Sequence, residues 1–275
     1  TVRLIAERAG EIAAFTEEDY YTLSARLAKE TEGRDFESKL VRWRSTPVEQ
    51  TITLKLFAED YRYKTSVFKK LEDTVEAATL LRNSVLTVSK IELKAVRQKP
   101  KPPFITSTLQ QDAYNKLGFA SDRTMKIAQT LYEGVELAGD RAGLITYMRT
   151  DSFNVSAEIQ KETVKFVAEI YGKEFAPAKP PVYLKKVKGA QEAHEAIHPT
   201  SVYRKPEDVK AFLNPDQAKL YDLIWRRFVA SQMEEAVFDS VSVEITDENG
   251  AAVLRPSGRT MKFEGYLKVY REEKE

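Results

Sequence analysis

No cysteine occurs among the 275 residues. Disulfides, thiolate metal sites and cysteine nucleophiles are thereby excluded, and an intracellular, cytoplasmic setting is the default expectation. Histidine is almost as scarce, with only His194 and His198. No apolar run approaches the roughly 18–20 residues that a membrane helix requires. Charge of either sign is not in excess either: 43 Lys and Arg face 42 Asp and Glu, a net +1. A generally basic face is therefore absent, and any nucleic-acid contact must come from local clusters. A secretory or transit pattern is missing at the start as well. Thr1 leads straight into VRLIAERAGEIAAF, helical spacing already under way, which reads as part of a longer polypeptide. What remains is 42% hydrophobic and 31% charged, enough for a sizeable core in two domains or one large one.

Periodicity divides the chain. Leu4, Ile5, Ile12 and Phe15 predict a helix to about residue 15, the end of a lead-in segment of residues 1–19. YYTLSARLA, FESKLVRWR and QTITLKLF alternate apolar and polar residues, as strands with one wet face do. A helix is expected from Thr74 with Asp73 as its N-cap, followed by further alternation in VLTVSKIELKAVRQ. Pro100, Pro102 and Pro103 then interrupt both periods and mark a boundary. Beyond it the pattern is helical. One helix opens at Thr106-Ser107 and stops at Gly118, another is capped by Asp122 and ends at Gly134, and a third runs from Ser156 to Gly172. A further helix is expected over 215–233, after which FDSVSVEIT, DENG and AAVLR read as a hairpin. The expected fold is α+β: a discontinuous β-rich domain of residues 20–106 and 234–275, with a mainly helical domain of residues 107–233 inserted.

Residues 143–152, GLITYMRTDS, carry the densest chemistry. Leu144 and Ile145 enter as core residues, and Thr146, Tyr147, Arg149, Thr150, Asp151 and Ser152 leave as a polar rim. A phenol with an ordinary pKa near 10 is a weak nucleophile at neutral pH and needs a cation or base beside it. In extended chain, residues i and i+2 project to one side, which brings Arg149 next to Tyr147. A guanidinium there can also grip a phosphate through paired donors, so the cluster suits phosphodiester chemistry better than peptide chemistry.

Two other patterns compete. His194, Glu195 and His198 match the HExxH of zinc peptidases, but Pro199 pushes His198 out of helical geometry and no third ligand has a distinctive spacing. Arg82, Lys90, Lys94, Arg97, Lys99 and Lys101 form a basic run with Glu92 as its one acid, and Lys185, Lys186 and Lys188 form a second. Solvated surface and phosphate contact are both open for these lysines and arginines.

GLITYMRTDS, with PPFITSTLQQDAYNKLGF and MKIAQTLYEG before it and QEAHEAIHPT, LYDLIWRRFVASQM and SGRTMKFEGYLKVY after it, resembles the type IA DNA topoisomerases, most closely the bacterial ones. The likeness runs over essentially the whole chain. It implies that Tyr147 attacks one DNA strand and becomes joined to a 5′ phosphate, that Arg149 contacts the scissile phosphate, and that His194 assists. It extends DNA contact to Thr146, Thr150, Asp151, Ser152 and Glu195. The β-rich segments are then the family's arch, and the helical block carries the tyrosine. The resemblance further implies resealing without ATP and single-stranded DNA as the partner at cleavage. It also implies a monomer in the cytoplasm, at the nucleoid. Magnesium is implied for the whole enzyme only, since the family's acidic metal-binding domain precedes this stretch and its gate domain is largely outside it. The fragment alone is expected not to relax DNA. One departure is His198, where the family usually has arginine. The alternatives are a non-catalytic single-stranded-DNA-binding or structural module, in which Tyr147 only stacks or packs, and the zinc peptidase.

Overall fold

The computed structural model describes residues 2–28, 33, 35–183 and 195–271. Along the first part of the chain lie α1 (Val2–Ala14), β1 (Ser24–Ala28), β2 (Asp35–Trp43), β3 (Thr46–Pro47), β4 (Glu49–Lys55), β5 (Asp60–Ser66), α2 (Leu71–Asn83) and β6 (Leu86–Gln98). The middle holds α3 (Thr106–Leu117), α4 (Ser121–Glu133), a short hairpin of β7 (Val135–Leu137) and β8 (Asp140–Ala142), α5 (Ala157–Ile170), α6 (Pro206–Val209) and α7 (Pro215–Ser231). Strands β9 (Ala236–Asp247), β10 (Ala252–Arg255) and β11 (Ser257–Phe263) follow. The fold is α+β. Two compact units result, one of residues 1–95 and 239–260, the other of residues 96–238 and 261–275. The chain changes unit at 95/96, 238/239 and 260/261, whereas periodicity alone places the changes at 106/107 and 233/234.

In the first unit the main sheet runs β1-β2-β10-β9-β11, with β3 paired to β2 and β6 to β9. Leu40, Trp43, Ile245, Ala252 and Leu254 bury one face of it together with Ala77 and Leu81, one turn apart on α2. That helix starts at Leu71, earlier than Asp73 suggests. Its N-cap is Lys70 with no side-chain cap bond, so Glu72 and Asp73 lie in the first turn, where their charge favours the helix N-terminus. The basic run of β6 is partly answered from within: Glu92 lies 2.9 Å from Lys94 and 4.0 Å from Lys90. These cations hold the Glu92 carboxyl below its ordinary range. That pairing favours a solvated strand face over a phosphate track. Lys185, Lys186 and Lys188 lie outside the described residues.

The second unit is built around α7. Asn214 and Gln217 close a reciprocal capping box at its start, with Pro215 in the first turn. Leu220, Tyr221, Ile224, Trp225, Phe228 and Val229 then enter a core shared with α3, α4 and α5, contributed by Leu109, Ala113, Ala128, Leu131, Phe166 and Val167. Helix α3 stops at Gly118, whose left-handed φ of 68° lets its N–H reach the Tyr114 carbonyl. The second helix begins at Ser121 with Ala120 as N-cap, so Asp122 sits in its first turn and does not cap it. The β7–β8 hairpin has no alternating pattern long enough to be seen in the sequence. Its turn residues Ala138 and Gly139 both take positive φ, as a tight hairpin requires.

Candidate active site

Residues 143–152 cross the top of this helical core without becoming a regular strand. The entry is fixed first. Leu144 and Ile145 are fully buried, the Leu144 N–H donates to the Leu131 carbonyl at 2.7 Å, and Ile145 pairs with Pro199 across an isolated bridge. Thr146 is held on both sides by the 196–198 segment. Its N–H donates to the His198 carbonyl at 2.9 Å, its hydroxyl donates to Ala196 O at 2.7 Å, and that hydroxyl accepts from His198 N at 3.0 Å.

From there burial alternates. Met148, Thr150 and Ser152 turn inward, while Tyr147, Arg149 and Asp151 face solvent. Tyr147 and Arg149 are thus both exposed, the alternation that an extended chain gives. Thr106, in the first turn of α3, fixes this register. Its hydroxyl proton is shared between Met148 O at 2.8 Å and Thr150 O at 3.0 Å, and its oxygen accepts from Thr150 N at 2.9 Å. The Thr150 and Ser152 hydroxyls accept from the N–H groups of Ser152 and Asn154, each at 3.1 Å. Sequence resemblance puts Thr146, Thr150 and Ser152 against DNA, but here their hydroxyls are occupied in holding backbone. Removing the Thr106 hydroxyl with Thr106→Val is expected to cost about 1–3 kcal/mol, because Thr150 N–H loses an acceptor where water has poor access. Chemical denaturation measures it, and Thr106→Ser, which keeps the hydroxyl, should lose much less.

Glu195 and His198 form a second clamp. The Glu195 carboxylate accepts from Ser156 N at 3.2 Å, at the start of α5, and stands 3.3 Å from His198 Nε2. His198 is buried, donates from Nδ1 to Pro199 O at 2.8 Å and stacks on Phe228 with centroids 4.8 Å apart. The hydrogen bond with His198 holds Glu195 below the usual carboxylate range, against the opposing pull of partial burial. A depressed folded-state value means that Glu195 adds stability above the unfolded carboxylate value, about 4.3. That stability disappears as pH falls through the lower folded value. On acidification from neutral pH, the denaturant midpoint should therefore drop more for the wild type than for Glu195→Gln. The difference will be small, because the Glu195 side chain is 41% exposed.

These contacts also bear on the peptidase pattern. Residues 195–199 are not helical, Ile197 is bridged to Phe104 and Pro199 to Ile145, so His198 does not share a helix face with a residue four positions earlier. His194 lies outside the described residues. Among the described residues no group of three or more His, Asp or Glu could hold a metal.

Tyr147 itself is 42% exposed, and the ring of Tyr132 meets its ring edge-on, with centroids 5.4 Å apart and an interplanar angle of 66°. Neither Tyr132 nor the Thr106 clamp is singled out by sequence reasoning. Thr106 could have been found from its place at a helix start inside TSTLQQ, whereas Tyr132 carries no signal among thirteen tyrosines. Arg149 is exposed and makes no hydrogen bond or ion pair among the described residues. The arrangement is a hydrogen-bonded frame that presents the phenol of Tyr147, the guanidinium of Arg149 and the carboxylate of Asp151 to solvent.

A family model described as DNA topoisomerase matches residues 1–275. DNA topoisomerase 1 of Rickettsia bellii is 40% identical over 271 residues, covering 98% of this chain and 32% of that protein. DNA topoisomerase 1 of Campylobacter jejuni is 40% identical over 270 residues, covering 98% and 35% respectively. Full-length topoisomerase I from Thermotoga maritima matches in structure with a TM-score of 0.72 and 31% identity, over 99% of this chain and 39% of that one. The chain thus spans about a third of the length of the curated relatives it matches. Matched along its whole length, it belongs to the bacterial type IA DNA topoisomerase family.

Proposed function

We propose that this chain is the nucleophile-bearing part of an enzyme that changes DNA topology by transient single-strand cleavage. Tyr147 Oη attacks a backbone phosphorus, a Tyr–O–P bond forms and the P–O3′ bond breaks. The phenol gives up one proton and the 3′ oxygen takes one, so no net proton is consumed. One phosphodiester replaces another, and resealing therefore needs no ATP. Arg149 grips the non-bridging oxygens, with His194 assisting in the same site. Asp151 shares the exposed rim, while Thr146, Thr150, Ser152 and Glu195 hold the frame under it. The observation that carries this reading is that Tyr147 and Arg149, two residues apart in a clamped segment, are both exposed.

In the same reading the β-rich unit belongs to an arch that opens for strand passage, and the helical unit is the inserted domain carrying the tyrosine. Magnesium, when bound, would offset phosphate charge. Its ligands lie in a part of the longer protein outside this chain. The partner is single-stranded DNA at the cleavage site, and the protein acts as a monomer at the nucleoid in the cytoplasm. No helix among the described residues is long and apolar enough to cross a membrane.

The decisive experiment uses the full-length protein, magnesium and a single-stranded oligonucleotide labelled at its 3′ end. A covalent adduct should form, and peptide mapping should place the label on Tyr147. An adduct mapped to another residue, or binding with no adduct at all, would sink the assignment in favour of a DNA-binding module without chemistry.

A further inference from the structure

Tyr132 lies at the end of α4, one residue beyond buried Leu131, and as a residue it is as exposed as Tyr147, 42% in each case. Backbone contacts already tie the two residues' segments together. Leu131 O accepts from Leu144 N at 2.7 Å, and the Tyr132 carbonyl occupies the space where any Cβ on Gly143 would sit, 2.7 Å away. Between them the chain folds back on itself as the β7–β8 hairpin, pairing Val135 with Ala142 and Leu137 with Asp140. Tyr132 is therefore carried on a helix end and a closed hairpin, and Tyr147 on a clamped strip, with ring edge meeting ring face at 5.4 Å.

A tyrosine side chain turns about two bonds, and attack at phosphorus needs its oxygen in one direction. Edge-to-face contact restricts that rotation. We infer that Tyr132 is a positioning residue, whose ring fixes the direction in which Tyr147 presents its nucleophilic oxygen. This rests on Tyr147 being the nucleophile, and the test separates the two ideas. An exposed aromatic near DNA has an obvious other use, as a platform on which a base stacks. Stacking would show in affinity, whereas positioning shows in the rate once DNA is bound.

The experiment compares Tyr132→Leu and Tyr132→Phe in the full-length protein with magnesium and a 3′-labelled single-stranded oligonucleotide. Tyr132→Leu should slow adduct formation at saturating oligonucleotide by about three- to tenfold, the factor an edge-to-face ring pair is worth. Its dissociation constant should stay unchanged, and Tyr132→Phe should restore the rate. A weakened dissociation constant with an unchanged rate overturns the inference in favour of stacking, as does an unaffected Tyr132→Leu. A second readout needs no cleavage. With 3-fluorotyrosine at position 147, the fluorine resonance should be displaced from that of the free amino acid by the neighbouring ring. It should keep that displacement in Tyr132→Phe and lose it in Tyr132→Leu. A resonance indifferent to Tyr132→Leu overturns the inference even if no adduct forms in any protein. A missing wild-type adduct beside a Tyr132-dependent resonance would instead refute only the nucleophile.

Discussion

Arg149→Ala is expected to slow adduct formation by about 10²–10³-fold, the usual loss when a preorganised donor to a developing oxyanion is removed. The reasoning starts from what Arg149 does not do. Its neighbours Met148 and Thr150 are buried and held by Thr106, so its backbone is fixed. Among the described residues its guanidinium forms no ion pair or hydrogen bond that an arriving phosphate would have to break. Folding should therefore be nearly unaffected by the substitution, while the chemical step loses a charge aimed at the phosphoryl oxygens. Arg149→Lys should recover only part of the rate, because an ammonium cannot offer the planar paired donors of a guanidinium. Single-turnover measurements at saturating oligonucleotide separate this from weaker binding. A rate within threefold of wild type in Arg149→Ala would show that the phosphate is held by other groups.

What could be read in advance followed from residues whose effects are local. Gly118 had to end α3 because a left-handed φ is cheap only without a Cβ, and Asn214, Pro215 and Gln217 mark the start of α7 by their own hydrogen-bonding capacity. The long strands were legible from their two-residue alternation, although β4 and β6 are exposed along nearly their whole length rather than on one face only. The start of α2 was misjudged because Asp73 can favour a helix by charge as well as by capping, and only tertiary packing of Ala77 and Leu81 chose between those registers. In the site, the shared exposure of Tyr147 and Arg149 followed from a two-residue repeat. The inward turn of Thr150 and Ser152 follows from the same repeat, whereas their DNA contact was implied only by the family resemblance. Thr106, Tyr132 and the Glu195–His198 clamp reach the nucleophile's segment from 15 to 52 positions away, through hydrogen bonds and ring contacts that no local pattern encodes.

Gly143→Ala is the second large effect, and it depends on a distance the sequence does not display. A Cβ at this position would stand 2.7 Å from the Tyr132 carbonyl oxygen, closer than real Cβ atoms come. No side chain can swing away to make room, since the obstacle is backbone in the last turn of α4. Retreat in the opposite direction is resisted as well. Thr200 donates its hydroxyl proton to Gly143 O at 2.7 Å, and its N–H donates to Leu144 O at 3.0 Å. The added methyl must therefore separate the α4 terminus from the strip that carries Tyr147. Overpacking of this kind costs about 1–3 kcal/mol, which should lower the melting temperature by a few degrees to about 10 °C. The catalytic loss should exceed what stability alone explains, because a misplacement of about 1 Å at a reacting group can cost on the order of 100-fold in rate. DNA affinity should be nearly retained, since the Arg149 side chain is untouched. Gly10→Ala serves as the control. It lies inside α1 with nothing within 4 Å of its added methyl, so it should be neutral or slightly stabilising. If Gly143→Ala cleaves as fast as Gly10→Ala, the close approach of α4 to the nucleophile's strip has no part in catalysis. A slow Gly143→Ala that still binds the oligonucleotide would place the precision of the site in the contact between the Gly143 backbone and the Tyr132 carbonyl.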